Sequence, residues 1–150
     1  MEKFQRIAAY GVIREEGKIL LCRISEQLPH RKGYWTLPGG GIDFGEPPEK
    51  AMIREVMEET GYIVESKGIL GISNLYGASE GKEFHAVRIV YEAEIVGGAL
   101  TSERDGTTDR SEWILAQQVE DFPLVELVED ALELIKRGDA EQVGGGDATR

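Results

Sequence analysis

Two apolar runs separated by a polar turn open the chain. The segment Arg6 to Ile13 predicts a strand with a buried middle, Arg14-Glu15-Glu16-Gly17 a turn, and Lys18 to Ile24 a second strand, together a hairpin. Ser25 to Gly33 is polar and broken by Pro29, which marks a loop. Trp35 to Leu37 reads as a short extended piece ahead of a glycine-rich stretch, Pro38 to Gly45. The period then changes. Met52, Ile53 and Val56 recur at spacings of one, three and four, which predicts a helix from about Glu46 to Thr60. Pro47 and Pro48 fit a first turn, where backbone amides have no partner, and Gly61 fits a C-terminal cap. Ile63 to Leu75 and Glu83 to Val96 predict strands around a Gly77 to Lys82 loop, and Ser111 to Leu115 a short strand. Leu124, Leu127, Val128, Ala131, Leu132 and Ile135 share one side of a second helix. The glycine-rich polar end, 138–150, reads as a disordered tail, leaving one domain over residues 1–137. Helices set between strands that include a hairpin imply an α/β (α+β) fold, a mixed sheet with helices packed on it.

Composition narrows the function. The chain has 150 residues, 41% hydrophobic and 30% charged, as expected of one globular domain with its own core. It holds no apolar run near the roughly 20 residues that span a bilayer. The start, MEKFQRIAAYG, lacks the basic-then-apolar layout of a signal peptide, and Cys22 is the single cysteine; both favour a reducing cytoplasm. A formal net charge of −11 disfavours polynucleotides and anionic membranes as partners. A divalent cation would reconcile that acidity with a phosphate-bearing small molecule, because it takes carboxylates and presents positive charge.

The informative stretch is WTLPGGGIDFGEPPEKAMIREVMEETGY, Trp35 to Tyr62. Glu55, Glu58 and Glu59 are spaced by three and four, so they leave one helix face. Like charges so placed repel, and Arg54 offsets part of this; a bound divalent cation accounts for the concentration of carboxylates. Gly39, Gly40 and Gly41 allow close backbone approach to a ligand, and a carbonyl there is one more hard-oxygen donor. Glu46 sits favourably against the helix dipole.

This stretch resembles the signature of the Nudix hydrolases: Gly40, then Glu46, then Arg54-Glu55-Val56-Met57-Glu58-Glu59-Thr60-Gly61-Tyr62, with Tyr62 in place of an aliphatic residue. The signature covers 23 residues, and the preceding Trp35-Thr36-Leu37-Pro38-Gly39 is also typical of that family. The resemblance implies an α/β/α sandwich around a mixed β-sheet. It implies a hydrolase of nucleoside diphosphates linked to another group, using Mg²⁺ or Mn²⁺, and often a homodimer. It also implies roles: Glu55, Glu58, Glu59 and the Gly40 carbonyl as metal ligands, Arg54 as the residue that orients the glutamates, and Glu46 as their support. The general base varies in the family. Glu55 is the first candidate here and Glu112 the next; Glu103, Asp105 and Asp109 are further acids in the later loop.

Substrate contacts are open at this level. Arg23, Gly39 and Tyr76 are the candidates, with Arg31 and Lys32 near the glycine loop. Trp35 reads as a core anchor, Cys22 as a small buried hydrophobe, and His30 and His85 as isolated structural or surface residues. Two other readings stand beside the hydrolase: a nucleotide sensor, and a hydrolase of a non-nucleotide diphosphate.

Overall fold

The structure is a computed structural model that describes the backbone of residues 2–102 and 105–148, and side chains within those ranges up to residue 141. Seven strands form one sheet in the order β3-β2-β1-β6-β5, with β4 added on β1 and β7 on β2. The strands are β1 (Glu2–Glu15), β2 (Lys18–Ile24), β3 (Trp35–Thr36), β4 (Gly39–Gly41), β5 (Tyr62–Ser79), β6 (Lys82–Gly98) and β7 (Thr108–Leu115). β1 and β6 run parallel; the other pairs are antiparallel, so the sheet is mixed. The expected first hairpin is present, closed by Glu16 (φ 53°) and Gly17 (φ 77°).

Alternation along β1 explains the layers. Ala8, Tyr10 and Val12 face one side and pack with Leu127, Val128 and Ala131 of the second helix, α2 (Glu126–Ala148). Ala9 and Ile13 face the other side and pack with Ala51, Met52 and Val56 of α1 (Pro48–Thr60). The result is the expected α/β/α sandwich. Gly11, between these positions, lets α1 settle close, because a Cβ there would lie 3.3 Å from both Met52 Sδ and Val56 Cγ2.

Several boundaries differ from expectation. β5 and β6 continue to a tight turn at Glu80 and Gly81, so most of the expected 77–82 loop is strand. Gly39 to Gly41 is a strand rather than a loop, because it pairs with Ala8 to Tyr10 of β1. A 3₁₀ segment, Ala116–Asp121, follows β7 and buries Val119. α2 runs past Ile135 to Ala148, so the expected tail from Gly138 has helical backbone to that point.

Candidate active site

The site is assembled where α1 lies against the outer edge of β4. Pro48 opens the helix, and Gly61 closes it in the left-handed conformation (φ 82°), its amide bonded to the Met57 carbonyl. The apolar stripe faces the sheet, which turns Arg54, Glu55, Glu58 and Glu59 along the helix flank toward the glycines.

Register decides which backbone groups are offered there. The Gly11 amide bonds to the Pro38 carbonyl, and the Ile42 amide to the Ile7 carbonyl. Ala9 and Gly40, midway between, are therefore a hydrogen-bonded pair. The Gly40 carbonyl, expected as a metal ligand, faces Ala9. The outward backbone groups belong to Gly39 and Gly41: the Gly39 amide donates to Glu59 Oε1 at 2.7 Å, and the Gly41 carbonyl accepts from Arg54 Nη2 at 3.2 Å. Gly40 still touches the cluster, since a Cβ there would lie 2.7 Å from Glu55 Oε2.

Arg54 is the hub. Its Nε and Nη2 grip both oxygens of Glu46 at 2.8 and 2.9 Å, a bidentate pair. Its Nη1 reaches Glu55 at 3.0 Å and Glu58 at 3.4 Å. The guanidinium, helped by the Asp43 amide, holds the Glu46 carboxyl at about 2, well below its ordinary range. Bonding to Glu46, ahead of Glu55, raises Arg54 further. Glu55 moves the other way: burial pushes its carboxyl up, against the pull of Arg54.

Glu59 is the buried member, 3% exposed. Besides Gly39, Thr108 Oγ1 donates to its Oε2 at 3.1 Å, and Ser111 Oγ donates to its backbone carbonyl at 3.1 Å. Both hydroxyls come from β7, fifty residues further on. They were not legible in the sequence, because no local pattern distinguishes a strand hydroxyl that reaches a helix on another layer.

Among the described residues, no three His, Cys, Asp or Glu side chains converge on one point. Glu55 and Glu58 instead meet at one nitrogen of Arg54, with Glu59 one turn on and turned to Gly39. The donors are hard oxygens, two of them already gathered around a positive charge, and the Gly40 cradle keeps Glu55 there. That chemistry suits a divalent cation.

The other expected residues lie elsewhere. Glu112 pairs with Arg110 on its own strand, on the face of β7 opposite Ser111. Asp109 is held by Arg23 Nε at 2.9 Å, and both, with Asp105, line a cavity of about 540 Å³ beside β2. Glu103 lies outside the described residues. Tyr76, exposed on β5, donates its hydroxyl to Glu83. Trp35 is buried edge-on to Phe122, with ring centres 5.5 Å apart. Cys22 is buried with its Sγ 3.5 Å from Ser111 Oγ. His85 contacts Gln5 and Asn74. No helix among the described residues is long and apolar enough to cross a membrane.

A family model described as NUDIX domain matches residues 3–137, and the chain belongs to that family. The ADP-ribose pyrophosphatase of Methanocaldococcus jannaschii is 35% identical over 99 residues, covering 66% of this chain and 56% of that protein. A MutT-like protein of Streptomyces ambofaciens is 31% identical over 108 residues, covering 72% of this chain and 62% of that one. The chain thus spans little more than half the length of these curated relatives. The MutT NUDIX hydrolase of Burkholderia pseudomallei has a crystal structure that superposes with a TM-score of 0.74 at 30% identity, covering 87% of this chain and 98% of its own. The MutT protein of Methanosarcina mazei Go1 gives 0.72 at 28% identity, covering 95% and 98%.

Proposed function

We propose that this chain hydrolyses a phosphoanhydride bond in a nucleoside diphosphate linked to another group, with Mg²⁺ or Mn²⁺ as cofactor. The observation that carries the reading is the Arg54 fan, which binds Glu46, Glu55 and Glu58 beside a strand without side chains. Glu55, Glu58 and Glu59 would hold the cation, with the outward backbone of Gly39 beside them. A cation there supplies the positive charge that a diphosphate needs and acidifies a water molecule.

The rest belongs to the protein. Arg54 and Glu46 fix the azimuth of the helix carboxylates, so their positions are set before substrate arrives. Glu59 is held by Gly39 and Thr108, and can keep its place while charge moves nearby. Glu55 is the general base of this reading. Its bond to Arg54 Nη1 at 3.0 Å and the space left by Gly40 hold its carboxylate beside the glycine strand, where a water on the cation would lie within its reach. Glu112, engaged by Arg110, is the weaker choice.

The test is chromatographic detection of the cleaved products from a pooled nucleotide panel with Mg²⁺ or Mn²⁺, with ADP-ribose, which would give AMP and ribose 5-phosphate, first because of the name of the M. jannaschii relative. Turnover that requires metal and nearly vanishes in Glu59→Gln, with the fold intact, supports the reading. Binding without turnover across the panel favours a sensor, and Glu59→Gln at wild-type rate overturns the site.

A further inference from the structure

The chain has 28 acidic residues against 17 basic ones, so an arginine meets a carboxylate easily. The other described arginines, from Arg14 to Arg137, each lie within 4.0 Å of one. Arg6 is the exception among the described residues, although it stands next to the most acidic part of the molecule.

Its position is specific. Arg6, Ala8 and Tyr10 point to the α2 face of β1. The Arg6 guanidinium lies over Gly41, where a Cβ would come within 3.5 Å of Nε and Nη2. Tyr10 covers Gly39 in the same way, a Cβ there lying 2.5 Å from its ring. Arg6 and Tyr10 thus lie against the two ends of β4, whose glycines carry no side chain between them. Gly40, next to Gly41, lies against Glu55 on the other side of the strand, a Cβ there falling 2.7 Å from Oε2, so Arg6 and the glutamate cluster flank the same three residues.

The nearby Arg88, across from Ala8 in β6, cannot serve as the same kind of charge. Its Nη1 donates to Glu126 at 3.0 Å, and its Nη2 donates to Ser73 Oγ at 2.7 Å, beside Asp130. Its charge is compensated and its side chain is buried. Arg6 is exposed and, among the described residues, has no carboxylate within 4.0 Å.

We propose that Arg6 is a phosphate-binding residue, its guanidinium engaging the diphosphate of the substrate from the α2 face while the glutamates of α1 face it across the β4 edge. The inference rests on the hydrolase reading for the identity of the ligand. A guanidinium matches phosphate oxygens with two parallel donors, and here it offsets the repulsion between a diphosphate and the surrounding carboxylates.

The experiment is calorimetric titration of the full chain with inorganic pyrophosphate and Mg²⁺, for wild type, Arg6→Ala, Arg6→Lys and Arg14→Ala. Arg14 is a surface residue paired with Glu92 and serves as the control. The expected result is affinity lowered about tenfold or more in Arg6→Ala, an intermediate loss in Arg6→Lys and none in Arg14→Ala, with thermal unfolding unchanged. Equal affinity of wild type and Arg6→Ala, or no pyrophosphate binding by wild type, overturns the proposal. Steady-state kinetics separate it from the hydrolase reading. If a nucleotide is cleaved and Arg6→Ala keeps the wild-type KM, Arg6 has no phosphate role and the hydrolase stands. If pyrophosphate binding needs Arg6 but no nucleotide is cleaved, the anion site stands and the hydrolase falls.

Discussion

Gly40 and Glu55 occupy one place between them: an ideal Cβ on Gly40 would sit 2.7 Å from Oε2 and 2.8 Å from Cδ of Glu55. The glycine is needed for the space it leaves, since its φ is not in the left-handed region. Gly40→Ala therefore pushes the carboxylate aside and weakens its 3.0 Å bond to Arg54. The displaced group is the end of a flexible side chain, so folding suffers little. Misplacing a catalytic group by about 1 Å costs on the order of a hundredfold in rate. We expect kcat/KM to fall by about that much while Tm stays within roughly 2 °C of wild type. Wild-type kinetics in Gly40→Ala would remove Glu55 from the chemistry.

Thr108 tests the buried end of the cluster. Thr108→Val keeps the shape and removes one donor from the Oε2 atom of buried Glu59. Loss of a bond to a buried charged acceptor costs about 1–3 kcal/mol. For a chain of this size that lowers Tm by roughly 3–10 °C. Thr108→Ser should restore most of it. A Tm equal to wild type in Thr108→Val would show that the hydroxyl does not support Glu59.

Acid unfolding tests the Glu46–Arg54 pair. Folding lowers the Glu46 carboxyl from 4.5 to about 2. A depressed carboxyl stabilises the fold above its unfolded value, and the contribution is lost as pH falls through the folded one. The stability gap between wild type and Glu46→Gln should thus be constant above about pH 4.5 and close toward pH 2. Denaturant unfolding at a series of pH values measures it. A gap that does not change over this window would mean that the pair carries no linked proton.

Much of this was legible in one dimension because it is local. Glu55, Glu58 and Glu59 share a face by helical geometry, and the apolar stripe of Met52 and Val56 fixed which face was buried. β2 matched its expected limits because Pro29 and the Glu16-Gly17 turn bracket it. The later loop acids were harder to rank. Glu112 looked like a base because it begins a predicted strand, yet strand alternation puts it on the opposite face from Ser111, beside Arg110. Arg23 was one candidate phosphate contact, and β2 to β7 pairing sets it beside Asp109, a neighbour the local sequence does not reveal.

From its residue order alone, the chain determined the helix, its cap, the carboxylate spacing and the glycine run beside it, since each depends on neighbours within one or two turns. Tertiary structure decided that Gly39 rather than Gly40 turns its backbone outward, that Thr108 reaches Glu59, and that Arg6 has no carboxylate within 4.0 Å among the described residues. Those three facts depend on strand register and sheet order, which join residues far apart in the chain and shift every side chain to the other face when they slip by one.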